Sequence, residues 1–172
     1  MSIDENGRGQ PAATEQCNHP SAPQFGASPK KNQFLVNPAT NTDDFSMFPG
    51  AKDSQTGRIF PKAPIRLRFG EHRGKNRGYG FVHSWQAHWP NHQEADAREE
   101  LFAFLALVFM RGSSILYEGG NGSAEARVTV VRSAAGTVVL EERGDCIDDL
   151  FYSIITAIPG KKNQQGTRIG KF

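Results

Sequence analysis

Cysteine is nearly missing from this chain of 172 residues, where Cys17 and Cys146 are the only two. Neither belongs to a CxxC spacing, which excludes a zinc knuckle. Two thiols so far apart, one of them in a proline-rich stretch, suit a reducing compartment better than a disulfide framework. Long apolar runs are missing too. The longest, Leu101 to Met110, has about half the length a membrane span needs. Met1 to Gln10 holds no apolar run from which to build a signal peptide. The chain is therefore expected to be soluble, without a membrane partner, and either cytoplasmic or exported without a cleavable signal. A strong charge of one sign is also lacking: 20 Lys/Arg stand against 18 Asp/Glu, a net +2. That is too little to coat nucleic acid in bulk.

What charge there is lies unevenly. Residues 1–60 carry five Lys/Arg and six Asp/Glu, whereas residues 61–172 carry fifteen and twelve. Between Ile65 and His83 five cations (Arg66, Arg68, Arg73, Lys75, Arg77) face a single acid, Glu71. The twelve residues from Lys161 have four cations and no acid. Any polyanion site is expected to involve these two places and not the middle. Residues 1–60 also hold six of the ten prolines and show neither helical nor alternating periodicity. They read as a disordered or partner-docking leader, with Phe34-Leu35-Val36 and Phe45-Ser46-Met47-Phe48 as apolar islands. A folded domain over 61–160 and a basic tail over 161–172 complete the expected organisation.

The richest stretch is Gly70-Glu71-His72-Arg73-Gly74-Lys75-Asn76-Arg77-Gly78-Tyr79-Gly80-Phe81-Val82-His83-Ser84-Trp85. Glycines let backbone approach a ligand, cations attract phosphate, and histidine moves protons near neutral pH. Such a loop can hold a phosphodiester beside a proton-transfer group; a solvated surface loop is the plainer reading. Gly80 opens a short helix ended by Pro90. Helical spacing gathers Phe81, Val82, Trp85 and Trp89 on one side, turning His83 away from it toward a cleft and leaving His88 near the border as a packing residue. His83 is the first candidate acid/base group. His72 is the second, as its partner or as a phosphate contact. Lys75 and Arg77 are candidate phosphate contacts, while Tyr79 either stacks on a base or anchors the loop. His83, His88 and His92 do not share one helical face, so no metal site is expected, and no cofactor.

Asn91-His92-Gln93-Glu94 resembles a capping box that starts a second helix running to about Arg111. Its second half is apolar nearly all round and is expected to be buried against a sheet. Strand-like segments follow at Ser114–Glu118, Ala126–Arg132, Thr137–Arg143 and Leu150–Ile158, separated by short turns at Gly119–Gly122, Ser133–Gly136 and Gly144-Asp145. Strict alternation along the last of these puts Thr156 with Tyr152, Ile154 and Ile158, and Ser153 with Phe151, Ile155 and Ala157. The predicted fold is α+β: two N-terminal helices packed on a four-stranded antiparallel meander sheet, preceded by a disordered leader.

Helices first, a meander after them, a histidine leaving Gly78-Tyr79-Gly80-Phe81-Val82-His83-Ser84-Trp85, and a last strand reading Tyr152-Ser153-Ile154-Ile155-Thr156-Ala157-Ile158-Pro159 resemble the barnase/EndoU/colicin/RelE-type nuclease superfamily. The phage- and mobile-element-associated branch is most similar, over roughly residues 62–160. The resemblance implies a metal-independent endoribonuclease, in many members a toxin, that cleaves RNA by 2′-hydroxyl attack. By the same resemblance His83 is the acid/base group, and Thr156, with Ser153, is the polar pair of the last strand facing phosphate. Arg127 or Arg132 would be the charged strand position. An RNA substrate and an antitoxin or immunity protein are the implied partners. A catalytically silent RNA- or ribosome-binding accessory protein is the alternative, and a phage or plasmid accessory protein that only packs against a partner is a third.

Overall fold

A computed structural model of the chain describes residues 30–75, 77–117, 128–144, 149–160 and 166–172. Its elements are β1 (Asp44–Phe48), β2 (Ala51–Lys52), β3 (Ile59–Phe60), β4 (Ala63–Arg66), β5 (Glu71–His72) and β6 (Gly78–Tyr79), then α1 (Gly80–His88) and α2 (Glu94–Val108). After the helices come β7 (Ser114–Tyr117), β8 (Val128–Arg132), β9 (Gly136–Arg143), β10 (Phe151–Pro159) and β11 (Thr167–Lys171).

The expected two helices on a four-stranded meander is not what forms. Seven strands make one curled half-barrel sheet in the order β1-β4-β10-β9-β8-β7-β11, and the two helices are inserted mid-chain. The meander β7-β8-β9-β10 is present and antiparallel, but it is extended on both sides. β4 pairs with β10 in parallel, joining Ile65 to Tyr152 and Arg66 to Ser153. β1 then adds antiparallel to β4, and β11 adds antiparallel to β7. Within the described part of the expected leader, Asp44–Phe48 therefore belongs to the large sheet and Ala51–Lys52 pairs with Ile59–Phe60 in a small separate one, and Thr167–Lys171 of the expected tail is an edge strand. These strands have only two to five residues, too few for a periodic signal, and β1 and β11 gain their hydrogen bonds from β4 and β7.

The described part of that leader also supplies core. Leu35, Phe48 and Phe60 are buried, and Phe48 packs on Tyr152 with ring centroids 4.2 Å apart. Burying an aromatic ring of this size contributes roughly 1.5–3 kcal/mol, which offsets the ordering of a short strand. From the sheet come Ile65, Ile115, Val131, Val138, Leu140, Ile154 and Ala157, and from the helices Phe81, Leu101, Phe104, Leu105 and Val108.

Helix α2 starts at Glu94 with Gln93 as its N-cap, and no side-chain cap bond forms. The expected capping box is absent, and the helix ends three residues short of Arg111. Helix α1 lies along β10. Ser84 Oγ donates to the carbonyl of Gly80 (2.9 Å) and accepts from the amide of Ala157 (3.1 Å). That clip sits where the β9–β10 register shifts, between Ile154 and Thr156. The shift is a one-residue bulge, and it reverses the alternation beyond it. Ser153 faces Glu141 and Thr156 faces Val139, so the two share one face of the sheet, contrary to the strict alternation expected above.

Candidate active site at the β5–β6 hairpin

The glycine-rich stretch folds as a two-stranded hairpin leading straight into α1. Glu71 pairs with Tyr79 and His72 with Gly78, and the tip is closed by Arg73 N–H to Arg77 O (2.9 Å) and Arg77 N–H to Gly74 O (3.1 Å). Because neighbouring side chains of a strand point to opposite faces, the register sorts the site residues. His72 and Gly78 share one face; Glu71 and Tyr79 share the other.

On the first face His72 Nδ1 lies 3.1 Å from His83 Nδ1, with the rings stacked at 5.2 Å and 23°. Gly78 is what permits this. Its φ is +136°, and a Cβ there would come within 2.8 Å of His83 Nδ1. His83 is only 7% exposed, lying beneath the hairpin and not in an open cleft, while His72 is half-buried. A contact between two Nδ1 atoms needs one proton between them, so one ring donates and the other accepts. With both rings neutral, the donor ring keeps a bare Nε2 and the acceptor ring carries an Nε2–H. The pair thus holds one base and one N–H donor. Burial lowers the pKa of His83, and the neighbouring His72 lowers it further, which favours the neutral ring near pH 7.

On the second face Arg68 stacks on Tyr79, its guanidinium carbon 4.2 Å from the ring centre. Its Nε donates to Ser153 Oγ at 3.1 Å, and Ser153 is fully buried. Arg68 Nη2 is buried without a hydrogen-bond partner, and burial lowers the pKa of this guanidinium. Tyr79 Oη donates to Asn32 Oδ1 at 2.7 Å, so the phenol anchors the hairpin to the preceding chain. Glu71 takes Arg73 at 2.6 Å and Lys31 at 3.8 Å. The hydrogen bond from Arg73 is the main cause that lowers its carboxyl pKa.

The predicted residues therefore separate into groups. His72 and His83 meet. Tyr79 and Ser153 are joined through Arg68, which sequence reasoning passed over although the alternation of Ile65-Arg66-Leu67-Arg68-Phe69 set it opposite the apolar residues. Lys75 and Arg77 are exposed at the hairpin tip and make no ion pair among the described residues. Thr156 Oγ1 is buried without a partner. Arg132 lies toward the other end of the sheet, opposite Thr137, four residues along β9 from the Glu141 that faces Ser153. Arg127, Cys17 and Cys146 lie outside the described residues, as do the turn at 119–122 and Asp145. His88 meets Trp89 edge-on at 6.3 Å. Among the described residues no three His, Cys, Asp or Glu side chains group as a metal site, and no helix is long and apolar enough to cross a membrane.

No family model, curated protein or solved structure matches this chain.

Proposed function

We propose that the chain is a metal-independent endoribonuclease working at the His72–His83 pair, a reading supported by the superfamily resemblance of its motifs. The observation that carries it is the 3.1 Å contact between His83 of α1 and His72, in the stem of a hairpin whose tip bears Lys75 and Arg77. Cleavage needs a base for the 2′-hydroxyl, an acid for the leaving 5′-oxygen and positive charge near the phosphate. The bare Nε2 takes the 2′ proton as that oxygen attacks phosphorus. The Nε2–H of the other ring gives its proton to the departing 5′-oxygen. The products are a 2′,3′-cyclic phosphate and a 5′-hydroxyl, and the Nδ1–Nδ1 proton can shift to restore the pair. Lys75 and Arg77 draw the phosphate to the hairpin. Thr156 of β10, whose hydroxyl has no partner among the described residues, serves as a phosphate contact, while Ser153 is fully buried and holds Arg68. An antitoxin or immunity protein restrains the enzyme in the cytoplasm or after export.

The test is incubation of purified protein with total RNA in the presence of a chelator. Fragments ending in cyclic phosphate are expected, reduced about 10²–10⁴-fold in His83→Ala with the fold retained. The deep burial of His83 favours a second reading, a catalytically silent RNA-binding module. Tight RNA binding by the wild type with no fragments at all would establish that module and overturn the enzyme.

A further inference from the structure

The second half of α2 leaves a problem unsolved by the fold. Leu101, Phe104, Leu105 and Val108 turn into the core. The opposite side carries Ala103, Ala106 and Leu107, with Met110 just past the helix end. These recur at i, i+3, i+4 and i+7, and all four are exposed, Leu107 at 53% and Met110 at 58%. A helix apolar on all sides ordinarily has all sides covered. Beside this stripe runs an open groove of about 750 Å³, with Leu107, Met110 and Leu116 on its walls and Arg111 and Arg132 among its lining residues. Among the described residues no carboxylate lines it. Neither arginine makes an ion pair among the described residues.

We propose that this groove receives an amphipathic helix of a partner protein, its apolar stripe seated on Leu107, Met110 and Leu116 and its flanking carboxylates meeting Arg111 and Arg132. Strand addition is unavailable here, because β7 and β8 are already paired on both edges. Recognition must therefore come from side chains, and the alanines allow a second helix axis to approach α2 within the usual 8–10 Å. A second copy of this chain is a poor occupant. A two-fold interface would set the patch against itself and bring the same arginines together. The complementary charge belongs to a different, acidic partner. The inference does not depend on the ribonuclease reading, since the groove lies toward the turn between β8 and β9, away from the hairpin.

The experiment uses the full chain and a labelled synthetic helix with leucines along one stripe and glutamates on both flanks. A peptide with the same leucines and lysine flanks is the control. The glutamate peptide should bind and the lysine peptide should not. Leu107→Asp should weaken binding at least about tenfold, with circular dichroism confirming an unchanged fold. The double variant Arg111→Glu/Arg132→Glu should reverse the preference toward the lysine peptide, an outcome that misfolding cannot produce. Equal binding of both peptides, or binding of neither, would overturn the proposal. So would sedimentation showing a dimer that Met110→Glu converts to monomer, because the occupant would then be a second copy.

Discussion

The two faces of the β5–β6 hairpin bury nitrogen bases by opposite means. On one, two imidazoles share a proton and can both remain neutral. On the other, Arg68 keeps its charge under burial and leans on a phenol ring and a serine hydroxyl. Both are costly placements, since a polar group taken from water without a partner loses several kcal/mol. The difference lies in what each can do about it. The imidazole pair escapes the cost by losing a proton, which also makes it competent for proton transfer. The guanidinium cannot, and so reads as a fixed positive charge.

The comparison can be broken most forcefully at Gly78, which faces the histidines. Gly78→Val should destabilise the protein by about 3 kcal/mol and abolish cleavage, measured by urea unfolding and RNA fragmentation, since both the hairpin ladder and His83 occupy the space a side chain would need. Ser153→Ala comes next. It leaves Arg68 Nε buried and unbonded and should cost about 2 kcal/mol. Arg68→Met, which removes the charge together with its need for a partner, should cost less than Ser153→Ala in stability. If Arg68 also serves RNA, Arg68→Met should still weaken RNA binding in a filter assay.

Acid should separate the two faces further. The folded-state pKa of His83 lies below its ordinary value of 6.5, so the unfolded chain binds more protons than the folded one in that window. Stability contributed by the neutral ring is complete above about 6.5 and declines as pH falls through the lowered value. Thermal melts from pH 8 to 5 should show this decline, and His83→Gln should flatten it, whereas Arg68→Met should not. The smallest effect is expected at Thr156. Thr156→Val removes a buried hydroxyl without a partner and should leave stability within about 0.5 kcal/mol. Any loss of cleavage in that variant would then report a phosphate contact.

Parts of this were legible in the sequence for definite reasons. Gly80 and Pro90 bracket α1, and Gly136, Gly144 and Gly160 stand at the ends of β9 and β10, because backbone chemistry at those positions acts locally. Both histidines were singled out separately. Their contact was not visible, since it follows from the pairing of His72 with Gly78, a register no spacing rule supplies. The parity of Thr156 failed through a single bulge in β10. The strands before the helices were missed because Asp44-Phe45-Ser46-Met47-Phe48 becomes a strand only by pairing with β4, and Ala63-Pro64-Ile65-Arg66 only between β1 and the distant β10. Proline at position 64 argues locally against one of them. The exposed stripe of α2 contradicts the expected burial for a related reason: apolarity on every side does not say which side the sheet covers, and here it leaves Leu107 and Met110 exposed.

The parallel pairing of β4 with β10 also sets an order of events during synthesis. Tyr152 leaves the ribosome about 87 residues after Ile65, its partner in the ladder. At roughly 5–20 residues per second, β1 and β4 wait on the order of 4 to 17 s, with Phe48 and Ile65 lacking the strand that will bury them. A nascent chain arrested between α2 and β10 should therefore be a strong client for hydrophobic holdases, and release of β10 should end that dependence.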